Sequence, residues 1–150
     1  MNSKLKPGDL LHRSKGIIQH AGVYLGDGLV LHNQPTVGSK VTSYAQYAVG
    51  KTVKVTRFKR TDLNKLTERL YEIIDDNQGY ALFGNNCEHI ASYLIQGRKL
   101  SPQIQATTIC AVIGGAIGHR NGKLAYGLIL GGLIGLAIAN TSRKYDFCVG

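Results

Sequence analysis

From residue 124 to residue 142 the chain runs nineteen positions without a charge, between Lys123 and the pair Arg143-Lys144. Nineteen uncharged residues fall inside the roughly 17–25 that a helix needs to cross a bilayer. A second uncharged arm, residues 106–118, precedes it, and His119-Arg120-Asn121-Gly122-Lys123 forms a polar turn between them. Each arm carries a related glycine pattern: Ile113-Gly114-Gly115-Ala116-Ile117-Gly118, then Leu130-Gly131-Gly132-Leu133-Ile134-Gly135. Closely spaced glycines let helix backbones approach, as in membrane helix pairs. A chain of 150 residues has little surface on which to hide so much apolar sequence. The last third is therefore expected to be a membrane anchor, either one spanning helix or a shallow hairpin. A soluble helix pair packed on the rest of the chain is the competing arrangement. The expected organisation is a folded domain over residues 1–105, the apolar segment over 106–142 and a basic tail over 143–150.

The net charge is +9, and the excess is spread along the chain: 14 Lys and Arg against 8 Asp and Glu in residues 1–100, then 4 against 1. Such a balance suits an anionic membrane surface or nucleic acid. No basic stripe is interleaved with aromatics and no zinc-finger spacing occurs, so nucleic acid is not the expected partner. The three cysteines, Cys87, Cys110 and Cys148, are far apart and odd in number. That pattern argues against a disulfide framework and for an intracellular, reducing compartment. Residues 1–9 are polar, which does not fit a secretory signal.

Before the anchor the pattern is strands, then helices. Lys6-Pro7-Gly8-Asp9 reads as a turn, followed by a short strand from Leu10. Residues 17–25 read as a strand, Gly26-Asp27-Gly28 as a hairpin turn and residues 29–33 as the return strand. The register decides whether two histidines meet. A two-residue loop would pair Leu25 with Val30 and put His20 and His32 on opposite faces. A three-residue loop with Gly28 left-handed pairs Leu25 with Leu29, and the histidines become diagonal neighbours with Gly22 leaving room beside His32. The three-residue loop is the expectation. Residues 36–50 read as a polar loop, 52–58 as a strand, and from Thr61 an apolar face at helical spacing (Leu63, Leu66, Leu70, Ile73, Ile74) marks a helix ending near Asn77-Gln78-Gly79.

Gly84-Asn85-Asn86-Cys87-Glu88-His89-Ile90 then opens another helix. Asn85 is the expected N-cap, with Glu88 placed as a capping-box acid and Gly97 closing the helix. Cys87 lies on the apolar stripe with Ile90, Ala91 and Leu94, in the first turn, where free N–H groups and the helix dipole favour thiolate. A cysteine nucleophile is built this way. A buried structural cysteine fits this stretch equally well.

The wider pattern shifts that balance. Lys6-Pro7-Gly8-Asp9-Leu10, His20-Ala21-Gly22-Val23-Tyr24-Leu25-Gly26-Asp27-Gly28 with Leu31-His32, and Asn86-Cys87-Glu88-His89 resemble the H-box and NC motifs of the lecithin:retinol acyltransferase-like family. The resemblance is nearest to its HRAS-like suppressor phospholipase A/acyltransferases, and it covers roughly residues 5–105 and, more loosely, the apolar tail. It implies an α+β, circularly permuted papain-like (NlpC/P60) fold, with a small antiparallel sheet packed on helices and a C-terminal apolar membrane segment. It also implies Cys87 as nucleophile, His20 as general base and His32 as the group that orients His20. The implied reaction is cleavage of a glycerophospholipid ester through a thioester, with the acyl group passing to water or to an amine or hydroxyl acceptor. No cofactor or metal is expected, and Cys-Glu-His is not a metal signature. Tyr24 is expected to pack the hairpin, with lining the site as the alternative, and Asn86 is a further candidate for the site lining.

Two departures stand out. The family often has an aromatic residue after the first histidine, where this chain has Ala21, which implies a wider acyl entrance or weaker interfacial contact. The segment between His32 and Cys87 is also shorter than in the animal enzymes. A cysteine peptidase or amidase of the wider superfamily and a non-enzymatic membrane interaction module are the rival readings. His89 is expected to be exposed or to cap a local contact, His12 to be structural, Cys110 to pack and Cys148 to suit palmitoylation.

Overall fold

The computed structural model describes residues 4–35, 37–59, 61–76 and 86–150. Asn85, Gly84, the 80–83 lead-in and the expected helix end at 77–79 lie outside the described residues. The described residues divide into two units. One comprises residues 1–100 with 144–150, and the other residues 101–143.

The first unit is built on an antiparallel sheet of β1 (Leu10–Lys15), β2 (Ile18–Gly26), β3 (Leu29–Gln34), β4 (Gly38–Ser43), β5 (Val53–Thr56) and β6 (Phe147–Val149), in the order β4-β3-β2-β1-β5-β6. Its helices are α1 (Tyr44–Ala48), α2 (Leu63–Asp76) and α3 (Cys87–Gln96). Strand side chains alternate between faces, and both faces are used. On one face Leu11, Tyr24, Val30, Val53, Val55 and Val149 pack with Tyr47 and Ala48 of α1. On the other, Ala21, Val23 and Leu31 pack against Leu66 and Ile73 of α2 and Ile90, Ala91 and Leu94 of α3.

The hairpin of β2 and β3 has the register that lets the histidines meet. Gly22 pairs with His32, Val23 with Leu31 and Tyr24 with Val30. The turn is not the three-residue loop expected. Gly26 pairs with Leu29 and the register shifts between Tyr24 and Gly26. The loop is thus Asp27-Gly28, both at positive φ (49° and 76°), and a bulge takes up the extra residue. The Tyr24 hydroxyl accepts the Gly28 N–H at 2.9 Å and braces the turn.

Two expected irregular stretches are regular. The 36–50 loop forms β4 and α1, and α1 opens with a full capping box between Ser43 and Gln46. The tail is no free end. Strand β6 pairs with β5 through Val53 with Val149, Lys54 with Cys148 and Val55 with Phe147. The Arg57 N–H donates to the Asp146 carboxylate at 2.7 Å, fixing the chain as it returns.

The second unit is a helical hairpin of α4 (Pro102–Arg120) and α5 (Leu124–Thr141). Its helices touch through glycine. A methyl at Gly127 would run into the Gly114 carbonyl, one at Gly131 into that of Cys110 and one at Gly135 into that of Ala106. Among the described residues, α5 is the one helix long and apolar enough to cross a membrane.

Candidate active site

Alternation along β2 puts His20 and Gly22 on one face, and the pairing of Gly22 with His32 brings the second histidine alongside. His20 Nε2 and His32 Nδ1 lie 3.0 Å apart, with the rings nearly perpendicular at 88°. His32 Nε2 lies 3.1 Å from the Thr42 hydroxyl on β4. Thr42, His32 and His20 thus form one hydrogen-bonded chain, and both histidines are buried.

Tyr47 of α1 backs this chain. Its ring stacks on His20 (centroids 5.6 Å apart, 28° between planes) and meets His32 edge-on at 5.4 Å. Its hydroxyl donates to the backbone carbonyls of His20 at 2.8 Å and Leu11 at 3.0 Å. The space expected beside His32 at Gly22 is therefore filled. A methyl at Gly22 would come within 2.8 Å of the Tyr47 ring.

The environment holds both imidazoles neutral. Burial, followed by His32, Arg13 and Lys15, pulls His20 from 6.5 down to about 3. Burial, followed by Lys40 and Arg13, pulls His32 down to about 4. Desolvation disfavours imidazolium, and neighbouring cations add to it. Two neutral imidazoles facing through one nitrogen each share a single proton in that bond.

Cys87 is the first residue of α3. The N-cap is Asn86, in an extended conformation, not Asn85 as expected. Its side-chain oxygen accepts the N–H groups of Glu88 at 2.9 Å and His89 at 3.0 Å. Glu88 is therefore in the second helical position and not at the capping-box place. Asn86 acts as the cap that fixes Cys87 at the helix start, and Tyr24 as the brace of the hairpin turn.

The Cys87 thiol is partly buried and packs against the Ala21, Val23 and Leu31 cluster. Burial raises its pKa, the Ala21 N–H hydrogen bond lowers it, the Glu88 carboxylate raises it, and the N–H groups of Glu88 and Cys87 lower it. The balance is a raised thiol. The helix start alone favours thiolate, but here desolvation outweighs it. Ala21 directly follows His20 in the chain, and the charge of Cys87 is also felt at the Tyr47 phenol. Tyr47 backs both histidines, and Cys87 reaches the Ala21 backbone from the α3 side of β2.

Ala21 is fully buried and packs in the cluster with α3. His89 is buried, contrary to its expected exposure, and His12 is buried edge-on to Tyr145 at 5.7 Å. Among the described residues no three His, Cys, Asp or Glu side chains are grouped to hold a metal.

Thr42 and Tyr47 are the site residues that the sequence did not announce. Thr42 sits beside a lone apolar Val41 in a lysine- and serine-bearing stretch, and Tyr47 lies on a helix of one turn. The Tyr47→Phe variant is expected to keep the ring packing and lose the hydroxyl that holds the His20 carbonyl. A buried hydrogen bond of this kind is worth about 1–3 kcal/mol when its partners are left unpaired. Thermal unfolding should report that cost. Turnover kinetics should show kcat falling several-fold with KM unchanged, the split expected of a residue that positions His20 without touching substrate.

Residues 3–74, which include both histidines, match the family described as Lecithin retinol acyltransferase. The chain is similar to human Phospholipase A and acyltransferase 3, 26% identical over 93% of this chain and 94% of that protein. Human Phospholipase A and acyltransferase 2 is 27% identical, over 91% of this chain and 93% of its own length. Human Lecithin retinol acyltransferase is also 27% identical, over 67% of this chain and 59% of its own length.

Proposed function

This chain carries a lecithin retinol acyltransferase family domain over residues 3–74, and we propose that it is a cysteine-dependent phospholipase A and acyltransferase acting on membrane glycerophospholipids. The chain is an LRAT-like enzyme, in line with relatives named as phospholipases and acyltransferases. The observation that carries the proposal is the hydrogen bond of His20 to His32, in a chain whose Cys87 opens α3 behind the Asn86 cap. Both histidines precede the cysteine in the chain, an order that supports a circularly permuted papain-like, NlpC/P60 arrangement.

The proposed cycle runs on three side chains. His20 donates Nε2–H to His32 Nδ1, and His32 donates Nε2–H to Thr42. That tautomer leaves His20 Nδ1 to take the Cys87 proton. The sulfur attacks the ester carbonyl, the carbon–oxygen bond breaks, and His20 returns the proton to the departing lysophospholipid oxygen. The acyl group remains on Cys87 as a thioester. Water, activated by the same imidazole, releases a fatty acid; an amine or hydroxyl acceptor takes the acyl group instead when one is bound. The Cys87 N–H and the positive end of the α3 dipole support the carbonyl oxygen as it becomes negative in this cycle, the Glu88 and His89 N–H groups being held by Asn86.

A neutral thiol beside a neutral imidazole predicts a particular reactivity. Alkylation of Cys87 by iodoacetamide should rise about ten-fold per pH unit from pH 6 to pH 9, with no plateau near neutrality of the kind a preformed thiolate–imidazolium pair gives. The deciding experiment is intact mass after mixing with phosphatidylcholine and phosphatidylethanolamine vesicles. One acyl chain added to the protein, with lysophospholipid released, is the expected result. Membrane-bound protein with neither adduct nor turnover overturns the proposal.

A further inference from the structure

We propose that residues 101–143 cross the bilayer twice, as a glycine-packed helical hairpin, and that the sheet-bearing unit stays whole on one side with its C-terminal strand in place. The proposal rests on the membrane-associated reading above and decides how that association is made.

The connection of the chain excludes a single crossing. Residues 1–100 and 144–150 belong to one unit, because β6 pairs with β5 after the hairpin has ended. If α5 alone spanned, residues 147–149 would lie across the membrane from Val53–Thr56 and the pairing would be lost. An even number of crossings keeps it.

The dimensions fit a bilayer. Helices of 19 and 18 residues are about 27–29 Å long at 1.5 Å per residue, against a hydrocarbon core of about 30 Å. α5 is apolar along its length, and α4 is uncharged and largely apolar from residue 106 to 118 with its Gln, His and Arg residues toward the ends; Ile109, Val112 and Ile117 of α4 and Ile129, Leu130 and Leu133 of α5 are exposed. A helix that lies flat in the interface needs a polar face, and neither has one.

Polar groups at the base of the hairpin find partners inside it, as the bilayer interior favours. Gln103 donates to Asn140 at 2.6 Å between the helices, and the Thr141 and Ser142 hydroxyls donate to carbonyls one turn back, at 2.9 Å and 2.6 Å. The charges lie at the two ends. Arg120 and Lys123 mark the tip, and Arg98, Lys99, Arg143 and Lys144 flank the base. Two cations at the tip fit the far head-group layer and not the hydrocarbon. The larger basic cluster puts the base, and with it Cys87, on the cytoplasmic face.

The test is accessibility of single cysteines in the full chain, synthesised in the presence of sealed membrane vesicles and probed with a membrane-impermeant maleimide. Cys87 and Cys110 are replaced by alanine throughout, and Cys148 as well in the chains that carry another reporter. The reporters are native Cys148 on β6, Lys15→Cys on β1 and Asn121→Cys at the tip. The expected result is equal labelling of Cys148 and Lys15→Cys before detergent, with tip labelling rising at least ten-fold once detergent opens the vesicles. Protection of Cys148 with Lys15→Cys reactive would mean one crossing and overturn the proposal. Reaction at all three positions in vesicle-bound protein would mean a hairpin lying on the surface and overturn it equally. Protein that fails to pellet with vesicles overturns the hairpin together with the membrane reading. Lipid turnover is followed separately in the native chain, with Cys87 in place; its absence from correctly inserted native protein would count against the enzyme alone.

Discussion

The Cys87→Ala variant is expected to lose lipid turnover by a factor of at least about 10³ and to show no acyl adduct, while folding and binding vesicles as before. Nucleophile removal in enzymes of this type leaves only what binding and oxyanion stabilisation contribute. The fold should tolerate the change. The thiol is only partly buried, at the first turn of a helix whose cap is Asn86 and whose buried face is Ile90, Ala91 and Leu94. Intact mass with circular dichroism checks both halves. Residual turnover within ten-fold of the native rate, from folded protein, would remove Cys87 from the mechanism. Cys87→Ser is a sharper version, because its hydroxyl keeps the shape and has a far higher pKa.

The second large effect is expected from His20→Gln. Glutamine keeps a side-chain amide near His32 but cannot accept and return a proton, so kcat should fall by about 10²–10⁴. The same variant should change acid stability in the opposite direction. In the folded protein His20 titrates near 3 and His32 near 4, against 6.5 unperturbed. The unfolded chain therefore binds more protons below about pH 6.5. Stability is fully present above that value and is lost as pH falls toward the folded values. One pH unit is worth about 1.4 kcal/mol per histidine, so the pair costs about 4 kcal/mol between pH 7 and pH 5. Removing His20 should roughly halve that loss. Urea unfolding at the two pH values measures it, and an unchanged pH dependence would show that the imidazoles are not held neutral by burial.

Residue type carried the site further than residue position did. Histidines on a β hairpin and a cysteine after a good capping residue are legible because each chemistry needs that residue in that local setting. Register was legible for the same reason, since one residue of slip turns every side chain over. The bulge at Leu25 was not. A three-residue loop and a two-residue loop with a bulge place His20 and His32 identically, and the difference lies in φ at Asp27 and pairing at Gly26. The protonation state of Cys87 was not legible either. A helix start is local, whereas the burial that overrides it comes from Ala21, Val23 and Leu31, far away in sequence. Short elements escaped for want of period. Strand β4 has one clear apolar residue, Val41, and α1 is too short to show a stripe. Strand β6 has three residues, and its partner Val53–Thr56 lies most of the chain away.

That last pairing bears on how the protein is made. Until residues 147–149 arrive, the outer edge of β5 presents unpaired N–H and C=O groups, a template for another strand. The helical hairpin is synthesised before the sheet can be completed, so the final strand docks only after the segment preceding it has formed. The entropic cost of so long a closure grows only slowly with loop length, and the native pairing can bear it. A chain stopped just after α5 has no such remedy. It would keep His20, His32, Cys87 and the apolar hairpin, yet carry a permanently open edge, and its fate would be decided by self-association.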